Sequence, residues 1–239
     1  RFWMYTVNQP LEDKRFDETE YAKIVANHVG VNHFIKQVKA DDVYEVYDKM
    51  VDLYDEPFND FSFVPTYYVC KAAREYGTVI ISGDGADELF CGYRRYHKIQ
   101  QFEYIRKFPM LRKGLAGITN LLPDSVGLKR QIRGIGSDDS SLLFFILSMV
   151  FKTDELAAIF GNGLESDLRK YSSKSVIDET LRNVPKDVSL LQKMRYLDIK
   201  YTLANDMLVK VDRASMFNSL EVRAFYLHPL ILNFASTLS

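Results

Sequence analysis

The stretch Thr78-Val79-Ile80-Ile81-Ser82-Gly83-Asp84-Gly85-Ala86-Asp87-Glu88-Leu89-Phe90 decides how this chain is read. Thr78–Ile81 is a continuous apolar, β-branched run, which predicts a strand buried on both faces, as in a parallel sheet. It opens into two glycines, Gly83 and Gly85, and then into a helix start at Ala86-Asp87-Glu88. Glycines there let backbone approach a ligand closely, and the carboxyl ends of strands are where open α/β sheets bind ligands. The unpaired amides at the helix start can face an anion. Asp84, Asp87 and Glu88 would repel a bare phosphate, and magnesium resolves that conflict because it binds carboxylates and phosphate oxygens together. The residues therefore predict a nucleotide or pyrophosphate site held through a metal. A plainer reading stays open beside it, in which Asp87 and Glu88 only complement the positive end of a helix.

Upstream, Phe2–Val7 is dense in aromatic and β-branched residues and predicts a strand. A chain that opens inside a strand is expected to be a piece of something longer. Asp17 and Glu20 signal a helix start, with Tyr21, Ile24, Val25 and His28 as its apolar face and Gly30 as its stop. His33–Val38 predicts a second strand. Asp41 and Asp42 open a helix with the stripe Val43, Val46, Tyr47, Met50 and Tyr54. Pro65 suits a first helical position, and Val69, Ala72, Ala73 and Tyr76 form the next stripe before Gly77. Strands alternating with helices of this length predict a parallel sheet with flanking helices in an α/β layer.

After about residue 97 helical patterns dominate, giving an α/β part over 1–97 and a mostly helical part over 98–239. Helices are expected at Ser140–Phe151, Thr153–Phe160, Ser173–Asn183, Leu190–Ala204 and Met207–Met216, with Asp154, Asp187 and Asp206 as caps and Gly134–Ser141 as a loop.

Composition narrows the function classes. The 239 residues carry 31 Lys and Arg against 32 Asp and Glu, a net charge of −1, so no basic excess drives general nucleic-acid binding. The richest apolar run, Leu142–Phe151, is too short to span a bilayer, and the first residues lack a signal peptide's pattern. Two cysteines, Cys70 and Cys91, are too few for a disulfide framework and fit a reducing, cytoplasmic setting. A Walker-type loop, a CxxC pair, an EF-hand and a nucleophile elbow are all excluded by the residues present, and the four histidines lack metal-ligand spacing. A second charged candidate is Leu208–Met216 (LVKVDRASM), where Asp212 and Arg213 stand side by side. Such a pair can reach a charged substrate, or can belong to a solvated helix face with its own ion pairs.

At these residues a family resemblance emerges. Ser82–Tyr93 (SGDGADELFCGY) closely resembles the S-G-[ED]-G-[AGS]-D-E-[LV]-F-x-G-Y motif of the synthetase domain of glutamine-hydrolysing asparagine synthetases. Asp55-Glu56-Pro57-Phe58, Pro65-Thr66-Tyr67-Tyr68 and the LVKVDRASMFNSLEVR segment also look like that family, in the expected order. The resemblance implies an adenine nucleotide alpha-hydrolase-like fold with its N-terminal part missing. It implies a domain that joins ATP to a carboxylate, aspartate first among them, and then forms an amide with ammonia delivered from a glutaminase domain in the parent chain. ATP and Mg2+ are the implied cofactors, and a homodimer follows by analogy alone.

Carried over position by position, Ser82, Gly83 and Gly85 would meet the nucleotide, and Val7 would meet adenine or ribose by its backbone. Asp84 would sit by the reacting centre, and Asp87 would hold magnesium or the polar end of the substrate. Asp84, Asp87 and Glu88 would together face the metal-bound pyrophosphate, while Asp212 and Arg213 match a charged family pair near the pocket. Three departures accompany the match. The family's S-G-G-x-D-S pyrophosphate loop would precede Phe2, its distal lysine would follow Ser239, and Arg223-Ala224-Phe225-Tyr226-Leu227-His228 stands where R-x-P-F-L-D is usual. The expectation is a fragment that does not adenylate by itself. Amidation of a sugar acid, β-lactam ring closure, and a non-catalytic remnant that keeps the fold remain as alternatives.

Overall fold

Strand β1 (Trp3–Asn8) pairs in parallel with β2 (Asn32–Gln37), in the register Trp3↔Asn32 through Asn8↔Gln37. Parallel neighbours need a crossover, and α1 (Thr19–Val29) supplies it. The computed structural model describes residues 3–8, 17–56, 58, 60–108, 110, 114, 117, 139–148, 159, 170 and 172–238. The chain divides into two units, Arg1–Gly85 with Tyr201–Ser239, and Ala86–Lys200.

In the first unit, α1 ends as its sequence predicts. Gly30 adopts φ 73° and donates its N–H to the Ala26 carbonyl at 2.9 Å. The expected apolar face of α1 is corrected, because Tyr21, Ile24 and Val25 are exposed while Thr19 and Ala26 are buried. Two small side chains one heptad apart let the helix lie close to β1 and β2, which turns the larger residues outward. Helix α2 (Ala40–Leu53) opens where Asp42 accepts the Lys39 N–H at 2.7 Å. Of its expected stripe, Val46 and Tyr54 are buried and Met50 packs beside them, but Val43 and Tyr47 face outward.

Helix α3 (Phe63–Arg74) begins two residues earlier than Pro65 would require of a first position. Pro65 is the third helical residue, where its missing N–H would still have had no intrahelical partner. The buried face of α3 is Phe63, Val64, Tyr67, Tyr68, Cys70 and Ala73. These join Val38, Val46, Tyr54, Ala214 and Leu220 in one core, with Ile80 and Val222 packed against it.

Strand β3 (Val79–Ser82) pairs in parallel with β4 (Glu221–Ala224), Val79↔Glu221 through Ser82↔Ala224. Here the prediction of a strand buried on both faces fails. Val79 and Ile81 are 46% and 72% exposed, and only the Ile80 and Val222 side meets the core. An unbroken β-branched run marks strand propensity, whereas the number of covered faces depends on which layers exist around it. So the parallel α/β expectation holds, among the described residues, as two two-stranded sheets, β1-β2 and β3-β4.

The second unit is helical: α4 (Ala86–Phe90), α5 (Arg94–Arg106), α6 (Ser140–Ser148), α7 (Ser173–Arg182) and α8 (Leu190–Leu197). Its buried residues include Tyr96, Ile99, Phe102, Leu143, Ile177, Met194 and Leu197. The predicted cap Asp187 is corrected to Ser189. The Ser189 hydroxyl accepts the Gln192 N–H at 3.2 Å, and Gln192 returns a bond to the Ser189 N–H.

A π-helical stretch, Asp198–Met207, follows α8, and α9 (Leu208–Phe217) follows it. Asp206, expected as a cap, therefore lies inside helical structure. After β4, Phe225–Leu227 makes a 3-10 turn and α10 (Pro229–Ser236) closes the described chain. Apart from Ile159, which is helical, the expected helix Thr153–Phe160 lies outside the described residues, as do its cap Asp154 and most of the loop Gly134–Ser141. Among the described residues no helix is long and apolar enough to cross a membrane.

Candidate functional site

Ser82 is the last residue of β3, opposite Ala224, so the two strands end together and their following turns adjoin. The Ser82 Oγ is buried and has no hydrogen-bond partner among the described residues. A buried hydroxyl without a partner loses the hydrogen bonds it would make to water, so this atom is poised to accept or donate once something lies across it. Gly83 beside it faces open space, with none of the described residues within 4 Å of where a Cβ would stand. Gly85 is different. It holds φ +90°, and a Cβ there would stand 2.5 Å from Leu227 Cδ2. Gly83 thus leaves room for an incoming group, whereas Gly85 shapes the turn by lying against the 3-10 turn after β4.

Asp84 lies between them, half-buried. Burial, and after it the Asp84 charge, pushes the Cys70 thiol of α3 up to about 12. That thiol is inert at neutral pH, and both cysteines are free. Val7 is the fifth residue of β1, paired with Lys36.

Asp87 and Glu88 fall in α4 and diverge. Asp87 is exposed and lies against Gly92. Glu88 is 1% exposed and accepts the Tyr93 hydroxyl at 2.7 Å. The Glu88 and Leu89 carbonyls accept from the Arg195 guanidinium of α8. Burial and the Glu88 bond push the Tyr93 phenol well above its ordinary range, so it stays a donor. Nearby, Asp198 accepts the Tyr96 hydroxyl at 2.8 Å and pairs with Arg95 at 2.9 Å. Among the described residues no three His, Cys, Asp or Glu side chains converge as a metal-ligand set.

The motifs at Asp55–Phe58, Pro65–Tyr68 and Leu208–Met216 meet in the first unit. Arg213 pairs with Asp55 at 2.5 Å, while its sequence neighbour Asp212 is exposed. Lys210, 6% exposed, holds Asp60 at 2.7 Å and the Ser62 hydroxyl at 2.5 Å. Asp60 also accepts from the Ser62 N–H and hydroxyl. Burial raises the Asp60 carboxyl, but the Lys210 and Ser62 bonds outweigh it and hold the group below the usual carboxylate range. Two ion pairs thus tie the segment after α2 to α9. Sequence reading singled out Asp212 and Arg213 and placed Tyr54 in an apolar stripe, but gave no role to Lys210 or Asp60. No local signal names a partner 150 residues away.

The Arg223–His228 corner departs from the expected Pro and Asp without losing its cap. His228 Nδ1 accepts the Leu230 N–H at 3.3 Å, and Pro229 takes the first helical position.

The chain is an α/β protein whose parallel strands β3 and β4 end at a Ser-Gly-Asp-Gly turn, with a buried hydroxyl and an open glycine at the strand end, the edge at which open α/β sheets bind ligands. Comparison with known proteins is more specific. The family model described as Asparagine synthase matches residues 2–239. The chain is 34% identical over 208 residues to the "Putative asparagine synthetase 2 (glutamine-hydrolyzing)" of Methanocaldococcus jannaschii, covering 84% of this chain and 38% of that protein. It is 27% identical over 245 residues to the glutamine-hydrolyzing asparagine synthetase 1 of Bacillus subtilis, covering 97% and 36% respectively. The chain belongs to the asparagine synthase family. It spans a little over a third of the length of these two relatives.

Proposed function

We propose that this chain is the synthetase part of an ATP-dependent amidotransferase, which adenylates a carboxylate, aspartate first among candidates, and converts it to an amide with ammonia released from glutamine. The observation that carries the reading is the end of β3, where the buried, unpartnered Ser82 hydroxyl stands beside the open Gly83. A nucleotide lying across that turn would satisfy the hydroxyl, and Gly83 would let its phosphates approach the backbone. The Val7 backbone would meet adenine or ribose. The stretches 1–97 and 98–239 would then be two parts of one synthetase domain with an adenine nucleotide alpha-hydrolase-like sheet, partnered by a glutaminase domain and, by analogy, a second copy.

Magnesium, when bound, neutralises charge on the departing pyrophosphate. Magnesium sites on nucleotides use one or two carboxylates together with phosphate oxygens and water, so a full protein cage is not required. Asp84 suits that role. In the second unit Asp87 is exposed, and the Glu88 carboxylate is engaged by Tyr93. Asp84 would in addition take up the proton shed as the amine attacks the acyl-adenylate.

The test is ATP–pyrophosphate exchange and AMP release by the full-length protein across a panel of carboxylic acids that includes aspartate and sugar acids. Exchange that needs one acid, and is abolished by Asp84→Ala in a protein that still folds, is the expected result. Exchange untouched by Asp84→Ala would remove Asp84 from the chemistry. No exchange with any acid would overturn the ligase reading.

A further inference from the structure

Part of the apolar stripe predicted for α3 does not reach the core. The buried side of the helix is Phe63, Val64, Tyr67, Tyr68, Cys70 and Ala73, which leaves Val69 and Ala72 half-buried and Tyr76 exposed. These three fall three and four positions apart along α3 and its exit, so they share one side. With Glu75, and with Phe34 and Lys36 of β2, they line a cavity of about 180 Å³. Phe34 and Lys36 are alternate residues of the strand and so stand on the same face. The Phe34 and Tyr76 rings meet with centroids 5.3 Å apart and planes tilted by 33°. The Lys36 ammonium lies 5.5 Å from the centre of the Tyr68 ring. Ring and aliphatic carbon therefore form the walls, and one ammonium and one carboxylate, both exposed, form the rim. None of these side chains belongs to the turn after β3.

Size and charge narrow the occupant. A cavity of about 150 Å³ takes benzene, so this one fits a single six-membered ring. Its walls favour an aromatic ring, which can meet Phe34 and Tyr76 at an offset or by its edge. Among the described residues neither Lys36 nor Glu75 has an ion pair. An anion at the rim would face Glu75 and a cation would face Lys36, so either loses to one charge what it gains from the other. A neutral hydroxyl suits both, because it donates to a carboxylate and accepts from an ammonium.

We propose that the cleft between β2 and α3, walled by Phe34, Val69, Ala72 and Tyr76, is a binding site for an uncharged single-ring aromatic alcohol of phenol size, whose hydroxyl is read at the rim by Glu75 and Lys36. The site is independent of the ligase reading and is tested by binding alone.

The probe is 4-fluorophenol, followed by fluorine NMR as the chain is added. Saturable line broadening that unlabelled phenol reverses is expected, with fluorobenzene, 4-fluorobenzoate and 4-fluorobenzylamine each binding more weakly. Ala72→Leu places a larger side chain in the cavity and should weaken 4-fluorophenol by roughly tenfold or more. Glu75→Gln, at an exposed position, should weaken 4-fluorophenol by roughly threefold or more while leaving fluorobenzene unchanged. That second variant decides the matter if Ala72→Leu folds poorly by circular dichroism. Absence of saturable broadening would overturn the proposal, as would equal binding of the benzoate or the benzylamine. So would unchanged binding in a folded Ala72→Leu, or an unchanged preference for the phenol in Glu75→Gln. Displacement of 4-fluorophenol by leucine would give the cleft to a zwitterion and overturn the assignment of a neutral ligand.

Discussion

The Asp87 carboxylate fills the space above Gly92. A Cβ at Gly92 would stand 1.9 Å from Asp87 Oδ1 and 3.2 Å from its Cα. The Gly92 N–H donates to the Asp87 carbonyl at 3.0 Å, so the pair is tied by backbone as well as by shape. Gly92→Ala must therefore push the Asp87 carboxylate out of place, at a cost of about 1–3 kcal/mol. Removing the obstructing carboxylate with Asp87→Ala should recover part of that cost. Urea unfolding of both single variants and the double variant measures the coupling, and additive effects would mean that the two residues do not constrain each other.

Gly83 and Gly85 lie two residues apart and should respond differently to the same substitution. Gly85→Ala meets Leu227 and a φ of +90°, so it should lose about 1–3 kcal/mol of stability. Gly83→Ala meets no neighbour, so its melting should stay within about 0.5 kcal/mol of the parent. If phosphates lie against that backbone, Gly83→Ala in the full-length protein should still weaken nucleotide binding, read by calorimetric titration. Unchanged affinity would move the nucleotide away from this turn.

Lys210 and Asp60 form a pair that is mostly out of water, with side chains 8% and 18% exposed. Lys210→Met leaves Asp60 charged and half-buried without its cation. It should cost roughly 2–4 kcal/mol, toward the lower end for breaking buried pairs because Asp60 keeps some solvent. Adding Asp60→Asn should restore much of the loss. A double variant as unstable as Lys210→Met alone would show that packing of the lysine stem, and not charge, carries the effect.

Asp60 and Asp206 should shape acid stability with opposite signs. The Asp60 carboxyl is depressed in the folded state, so its contribution is present above its ordinary value and lost as pH falls through the depressed one. The Asp206 carboxyl is raised, so its ionisation is a penalty that is absent at low pH and grows as pH climbs through the raised value. Asp60→Asn should then be destabilising near neutrality, and Asp206→Asn stabilising, with both differences shrinking toward pH of about 3. Urea midpoints from pH 3 to 7 check this, and differences of the same sign at neutral pH would contradict it.

The local chemistry of the chain is legible without coordinates. Gly30 as a helix stop, Asp42 at a helix start, the strands near Trp3–Asn8 and Val79–Ser82 and the turn after Ser82 all follow from neighbours within a few residues, because caps, turns and strand propensity are short-range effects. The family too is written in one contiguous run, SGDGADELFCGY.

What tertiary structure alone decided is which faces are covered and which charges meet. The apolar residues of α1 look inward by periodicity, yet Tyr21, Ile24 and Val25 face out because Thr19 and Ala26 allow the closer fit. Ile81 reads as core and is exposed, since among the described residues β3 has only β4 beside it. Glu88 reads as a ligand beside Asp87 and is instead buried against Tyr93, because one step along a helix turns a side chain by about 100°. Lys210 finds Asp60, and Arg213 finds Asp55, across most of the chain's length. Burial and pairing are properties of the packed whole, and periodicity records only which residues could take part.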